Sequence, residues 1–175
     1  MQFSKEGKMS ISNDTNQSPI SHGYGYEPGE GRRLWIVGDT MTFKATADQT
    51  GGSMTAVEVL AAPGGGPPPH IHRDEDEMWY VLDGEFEILA GEETLRLGSG
   101  GFAFVPRGTL HRFENVSDTP SRVLIVFTPG GFEGFFFEAG LPAVDGEPAP
   151  PVGHEEIERT QAAAPRYGLE LRGRQ

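Results

Sequence analysis

Between Arg33 and Thr128 turn chemistry recurs at roughly 8–12-residue spacing, with short apolar runs filling the gaps. A chain punctuated this often has no room for long helices. It folds as many short strands, and strands in such number form a sandwich or a barrel. Met41, Phe43 and Ala45 alternate with Thr40, Thr42 and Lys44, which is the period of a half-buried strand. Val57 and Val59 share a face of Ser53 to Ala61. Met78 to Leu82 is β-rich and runs into Asp83-Gly84, a strong hairpin turn. Phe86 and Ile88, then Leu95 and Leu97, supply two more strands, and Val123 to Thr128 is an apolar run suited to a barrel wall. The 25 glycines and 14 prolines fit this turn-rich, all-β reading.

The flanks differ. Residues 1–20 are rich in Ser, Asn, Gln and Lys and read as a mobile arm. Residues 21–175 read as one domain, with a barrel core over 34–128 and a helical or extended segment over 129–175. Asp48 to Gly52 is turn chemistry. After Pro129-Gly130-Gly131, a helix is expected over Phe132 to Ala139, stopped by Gly140 and Pro142. Glu155 to Ala163 is a second helix, and Tyr167, Leu169 and Leu171 make a last edge strand. No internal repeat is present.

With 14 basic and 26 acidic residues, the net charge of -12 repels nucleic acid and anionic membrane. No apolar run is long enough to span a bilayer. There is no cysteine, so disulfides and thiolate chemistry are excluded. The N-terminus shows no apolar leader, and a cytoplasmic location is the expectation.

The chemistry gathers at His70-Ile71-His72-Arg73-Asp74-Glu75-Asp76-Glu77. Pro63 to Pro69 cannot be a helix or a strand interior, so it delivers the chain stiffly to His70. His70 and His72 face the same way on an extended backbone. Glu77 is out of parity with them, so a turn over Arg73 to Asp76 must intervene. His111 follows the tight turn Pro106-Arg107-Gly108. Three imidazoles and one carboxylate on one point suit a divalent transition metal. Glu75 is a rival carboxylate, and Asp74 and Asp76 read as solvated loop charges. His22 and His154 read as surface residues.

These segments resemble the two motifs of the cupin family. The first is carried by Gly64, His70-Ile71-His72, Glu77 and Gly84; the second by Gly100, Pro106-Arg107-Gly108, His111 and Asn115. The resemblance covers residues 34–128 and implies a double-stranded β-barrel of the jelly-roll kind with short C-terminal helices. It implies one metal ion held by His70, His72, Glu77 and His111, with Fe, Mn, Ni, Co, Cu or Zn all compatible. Asn115 is expected to support a loop. The stretch Pro129 to Glu138 and the segment Tyr167 to Glu170 resemble those of single-domain, quercetinase-like cupins.

That resemblance implies a dioxygenase taking a small hydroxylated or enolisable substrate and dioxygen, with Glu77 as ligand and as general base. A metal-dependent isomerase, cyclase or lyase would use the same ligands without dioxygen. A binding module that never turns its ligand over is the third possibility. Trp79, Phe113, Phe102, Phe104, Met41 and Phe43 are candidate pocket walls. Phe135 to Phe137 form either a lid over the barrel mouth or a helix packed outside it. A homodimer is expected, since related proteins pair through edge strands and arms, and exposed edges need cover.

Overall fold

The computed structural model describes residues 22–173. The expected arm over residues 1–20 lies outside them. Nine strands come first: β1 (Arg32–Ile36), β2 (Asp39–Ala45), β3 (Thr55–Ala61), β4 (His70–His72), β5 (Asp76–Asp83), β6 (Glu85–Ala90), β7 (Glu93–Gly98), β8 (Phe102–Val105) and β9 (His111–Asn115). β10 (Ser121–Thr128), β11 (Leu141–Pro142) and β12 (Leu169–Leu171) complete them. Three short helices join in: α1 (Ala47–Thr50), α2 (Glu133–Ala139) and α3 (His154–Ala163), the last running into a 3-10 turn over Ala164–Tyr167. The turn expected at Asp48 to Gly52 is the single helical turn α1 and its left-handed cap, Gly51.

Two antiparallel sheets face each other, as the β-barrel expectation requires. The larger has the order β11-β1-β2-β3-β10-β5-β8, the smaller β12-β4-β9-β6-β7. Alternation sets which side chains enter the space between them. Val57, Val59, Trp79, Val81, Phe86, Ile88, Val123 and Ile125 all point inward and are fully or almost fully buried. Each such side chain contributes roughly 1.5–3 kcal/mol by leaving water. Trp79 lies opposite Ala103 on the neighbouring strand, so the smallest inward residue makes room for the largest.

Two glycines show how tightly the turns are drawn. Gly84, at the β5–β6 hairpin, has φ 76° and a Cβ there would sit 2.0 Å from Ser121 Oγ. Gly66, in the proline-rich connector, has φ 138° and a Cβ would strike Phe113 O at 2.2 Å. The connector thus lies flat against β9, where Asn115 N donates to Gly65 O at 2.9 Å. It reaches His70 without joining either sheet.

Candidate metal centre

β4, β5 and β9 carry the four expected ligands to one place. His70 stands directly opposite His111 in the β4–β9 ladder, while His72 leaves the same face of β4. Glu77 arrives from the other sheet, on β5. All four residues are buried, and one ligand atom from each lies within 4.8 Å of the others. The second turn is clamped to the first segment: Gly108 N donates to His72 O at 2.7 Å, and Arg107 holds Asp76 through its backbone N–H and its guanidinium. Asp76 is therefore a paired strand residue rather than a solvated loop charge. The clamp aims His111, two strands of sequence away, at the same point.

Ring orientation follows from hydrogen-bond roles. His70 Nδ1 lies 2.9 Å from Pro68 O, and His111 Nδ1 lies 2.8 Å from Thr109 O. A carbonyl only accepts, so both Nδ1 atoms carry the proton and both Nε2 atoms of the neutral rings present lone pairs. Yet His111 Nε2 lies 3.0 Å from Glu77 Oε2, and His72 Nε2 lies 3.3 Å from that same oxygen. A lone pair facing a carboxylate oxygen at that distance needs a cation between them, a proton or a metal. The pKa directions agree. Burial, then the nearby imidazoles, push His70 well below its usual range, so it is a neutral donor. Burial also opposes charge on His111, but the hydrogen bond and charge of Glu77 outweigh it and hold His111 up. Three imidazoles beside one carboxylate, in a buried site, fit a divalent ion of the borderline transition series.

His72 is oriented differently. Among the described residues no carbonyl plays for it the part that Pro68 and Thr109 play. Its Nδ1 has no hydrogen-bond partner, and neither has Glu75 Oε2, 3.6 Å away. Glu75 is buried, not part of a solvated tip, and sits behind His72 rather than within the ligand set. Asn115 supports a loop as expected: its side-chain amide donates to Ala61 O and Thr119 O, and its Oδ1 accepts from Ser117 N.

A cavity of about 60 Å³ adjoins the cluster, with His70, His72 and Glu77 in its wall. Met41 and Phe113 line it. Trp79 and Phe43 are buried but stand behind the lining; Trp79 packs 5.5 Å from the His111 ring, and Phe43 packs on Phe136 and Phe137. Phe102 and Phe104 require a correction. They are 58% and 51% exposed on the outer face of β8, while Ala103 and Val105 face inward. Aromatic bulk misled the reading here; strand parity decides, and on this strand the small residues hold the inner positions.

Helix α2 closes the cavity from outside the barrel. Phe132, Phe135 and Phe136 line it, and the Phe132 ring lies 4.1 Å from that of His72. Of the two expectations for this helix, the lid is what the packing shows, except that Phe137 turns away onto Phe43 and Arg32. The lid is pinned by Glu133, a buried carboxylate that accepts from Ala47 N at 2.6 Å, from Gly131 N at 2.9 Å and from the Thr55 hydroxyl.

Sequence reasoning passed over Asp39 and Thr160, which also line the cavity. Asp39 reads as half of a turn, Gly38-Asp39. Its signal is parity, because it shares a face with Met41 and Phe43. Thr160 carries none, since its place depends on how α3 docks. His22 is exposed, and so is His154, whose ring lies 3.6 Å from Glu158. No helix among the described residues is long and apolar enough to cross a membrane.

Residues 57–127 match the profile of the cupin domain. The chain is 30% identical over 135 residues to a quercetin 2,3-dioxygenase of Bacillus subtilis, covering 77% of this chain and 40% of that protein. It is 38% identical over 82 residues to a quercetin 2,3-dioxygenase of Aspergillus japonicus, covering 44% of this chain and 23% of that one. The chain thus spans two fifths or less of the length of these relatives. Among solved structures, an RmlC-like cupin from Shewanella frigidimarina matches with a TM-score of 0.52 at 20% identity, over 63% of this chain and 96% of that one, a likeness of fold.

Proposed function

We propose that this chain, which belongs to the cupin superfamily, is a metal-dependent dioxygenase acting on a small, enolisable hydroxy-carbonyl compound. One observation carries the reading: Nε2 of His72 and Nε2 of His111 converge on a single oxygen of Glu77, and His70 joins them in one buried cluster. His70, His72, Glu77 and His111 would hold the ion. Once bound, it supplies Lewis acidity and positions at which substrate oxygen and dioxygen can dock. The likeness to two quercetin dioxygenases favours oxygen chemistry over isomerisation.

The chain's own residues do the rest. Glu77 is the general base: its carboxylate takes the proton of the substrate hydroxyl. Phe113, Phe127, Phe132 and Phe136 form an apolar wall that excludes water and suits a flat molecule. The cavity is far below the roughly 300 Å³ of an ordinary ligand pocket. A small substrate fits with modest side-chain movement, whereas a flavonol needs α2 to lift. Glu75 Oε2, 3.6 Å from His72 Nδ1, is the carboxylate placed to orient that ring once the two atoms close to hydrogen-bond distance.

Oxygen uptake by metal-reconstituted protein, followed with flavonols, catechols and β-diketones, tests the proposal. Uptake with an enolisable compound, abolished when the metal is removed, is the expected result. Turnover of such a compound without oxygen consumption would replace the dioxygenase by an isomerase, cyclase or lyase.

A further inference from the structure

Outside the His–Glu cluster, the cavity wall is apolar except for Asp39 and Thr160. Both side chains hold a buried atom without a partner, Asp39 Oδ1 and Thr160 Oγ1, and Asp39 as a whole is 1% exposed. Burying a polar atom unpaired costs roughly 1–3 kcal/mol, so proteins seldom keep one without a use for it. The two residues that carry these atoms line one small cavity here. A third irregularity borders them. Val37, also in the wall, has φ 55°, a left-handed conformation that a β-branched residue avoids. It is held there by Glu156, whose carboxylate accepts the Val37 N–H from one turn before Thr160 on α3. Strain and unpaired polar atoms concentrated at one point mark a binding surface.

The strand registers place this point away from the metal cluster. Glu77 pairs with Phe127 and Phe127 with Thr55, the first residue of β3. Thr40, next to Asp39, pairs with Leu60 near the other end of β3. The cavity therefore has two polar poles joined by an apolar, aromatic middle.

We propose that Asp39 and Thr160 form a second recognition pole, which takes an uncharged oxygen-bearing group of the substrate, a hydroxyl or a carbonyl, while the His–Glu cluster holds the enol end. This rests on the reading of that cluster given above. The chemistry selects a neutral group. Burial, and then the charge of Glu156, raise the Asp39 pKa to about 8, so at neutral pH Asp39 is a carboxylic acid and can donate. Thr160 both donates and accepts. Among the described residues no Lys or Arg lines the cavity, so a substrate carboxylate at this pole would sit near the charge of Glu156 with nothing to neutralise it. The substrate class follows: a planar hydroxy-carbonyl compound with a second, neutral oxygen across the ring, rather than a dicarboxylate.

Three hydroxypyranones test this. Allomaltol, kojic acid and comenic acid share one chelating hydroxyl–carbonyl pair and differ across the ring, where they carry methyl, hydroxymethyl and carboxylate. Each is titrated calorimetrically into the zinc-loaded full chain, with zinc content measured beside it. Kojic acid should bind about tenfold tighter than allomaltol, as one buried hydrogen bond allows, and comenic acid more weakly than either. Asp39→Leu should erase the kojic acid advantage while leaving allomaltol within about twofold. Asp39→Asn, which keeps a donor, should retain it, and Thr160→Val should diminish it. If Asp39→Leu does not fold, Thr160→Val carries the test. Equal binding of kojic acid and allomaltol, or an advantage that survives these substitutions, overturns the second pole and leaves the metal centre standing. If none of the three binds wild type at all, the reading of the His–Glu cluster fails, and the second pole fails with it.

Discussion

The two ends of the cavity are built on opposite principles. At the metal end, polar atoms are aimed before any ligand arrives. Pro68 and Thr109 carbonyls fix the His70 and His111 imidazoles, and the Arg107–Asp76 clamp fixes the turn that delivers His111. At the far end, Asp39 Oδ1 and Thr160 Oγ1 are left without partners, and Val37 is strained beside them. An ion is small and always the same shape, so the backbone can orient two of its three imidazoles in advance, while His72 Nδ1 and Glu75 Oε2 stay unpaired at this end. An organic substrate must displace something, and unpaired atoms are what it satisfies. The difference separates the part of the site that recognises a cation from the part that recognises a molecule.

The sharpest way to break the comparison is at the metal end. His72→Ala removes one of four donors and should reduce bound metal from stoichiometric to less than about a tenth, read by elemental analysis of purified protein. Retained stoichiometric metal would take His72 out of the site. Glu77→Gln keeps an oxygen donor but not the base. Metal should stay largely bound while kcat drops about 10²–10⁴-fold, the span of a general base. Full activity in that variant would end the base role.

The far end is next, and its signature is pH. Asp39 holds its proton up to about 8 in the folded protein, whereas in the unfolded chain it ionises near 3.8. Between those values the native state binds more protons than the unfolded one. Stability therefore falls as pH rises through that window, by a few kcal/mol in order of magnitude. Asp39→Asn cannot ionise and should flatten this decline, so urea midpoints of variant and wild type should diverge most near pH 8. Parallel curves would mean that Asp39 is already charged and that the far end is not a donor. A smaller effect returns to the metal end. Glu75→Ala should weaken metal binding about 10–100-fold in competition with a chelator, and Glu75→Gln should restore most of it. No change in either variant would leave His72 oriented by packing alone.

How much of this was legible follows the same division. The metal end rests on short segments fixed by turn chemistry, so alternation and turns point to His70, His72, Glu77 and His111, and the resemblance to the cupin motifs implies them as the ligand set. The barrel was legible for the same reason, through alternation and turn signals. The far end was not. Thr160 reaches the cavity only because α3 folds back across the barrel, and no local pattern encodes that docking. Asp39 carried a parity signal, but a polar residue beside a glycine is read as a turn. Glu75 reads as a rival carboxylate for the ion, because nothing local shows that its side chain lies behind His72. Phe102 and Phe104 failed in the other direction, since residue type was weighed above the register that places Ala103 against Trp79.

Those two phenylalanines give the mildest test, and it bears on both ends of the cavity at once. Phe104 lies opposite Met78 and Phe102 opposite Tyr80, so an apolar strip runs along the outside of β8, at the edge of the larger sheet. If the cavity is the whole of the site, this strip is silent in chemistry. Phe102→Ser with Phe104→Ser should leave zinc content and hydroxypyranone binding unchanged and move folding stability by only about 0.5 kcal/mol, as for exposed positions generally. An edge strand with exposed aromatics also invites a second copy of the chain, and a homodimer formed there should shift toward monomer in sedimentation. A loss of ligand affinity in the double variant would carry the opposite lesson. The outer face would then be coupled to the cavity through Trp79 and Ala103, and the two-ended description would need a third element.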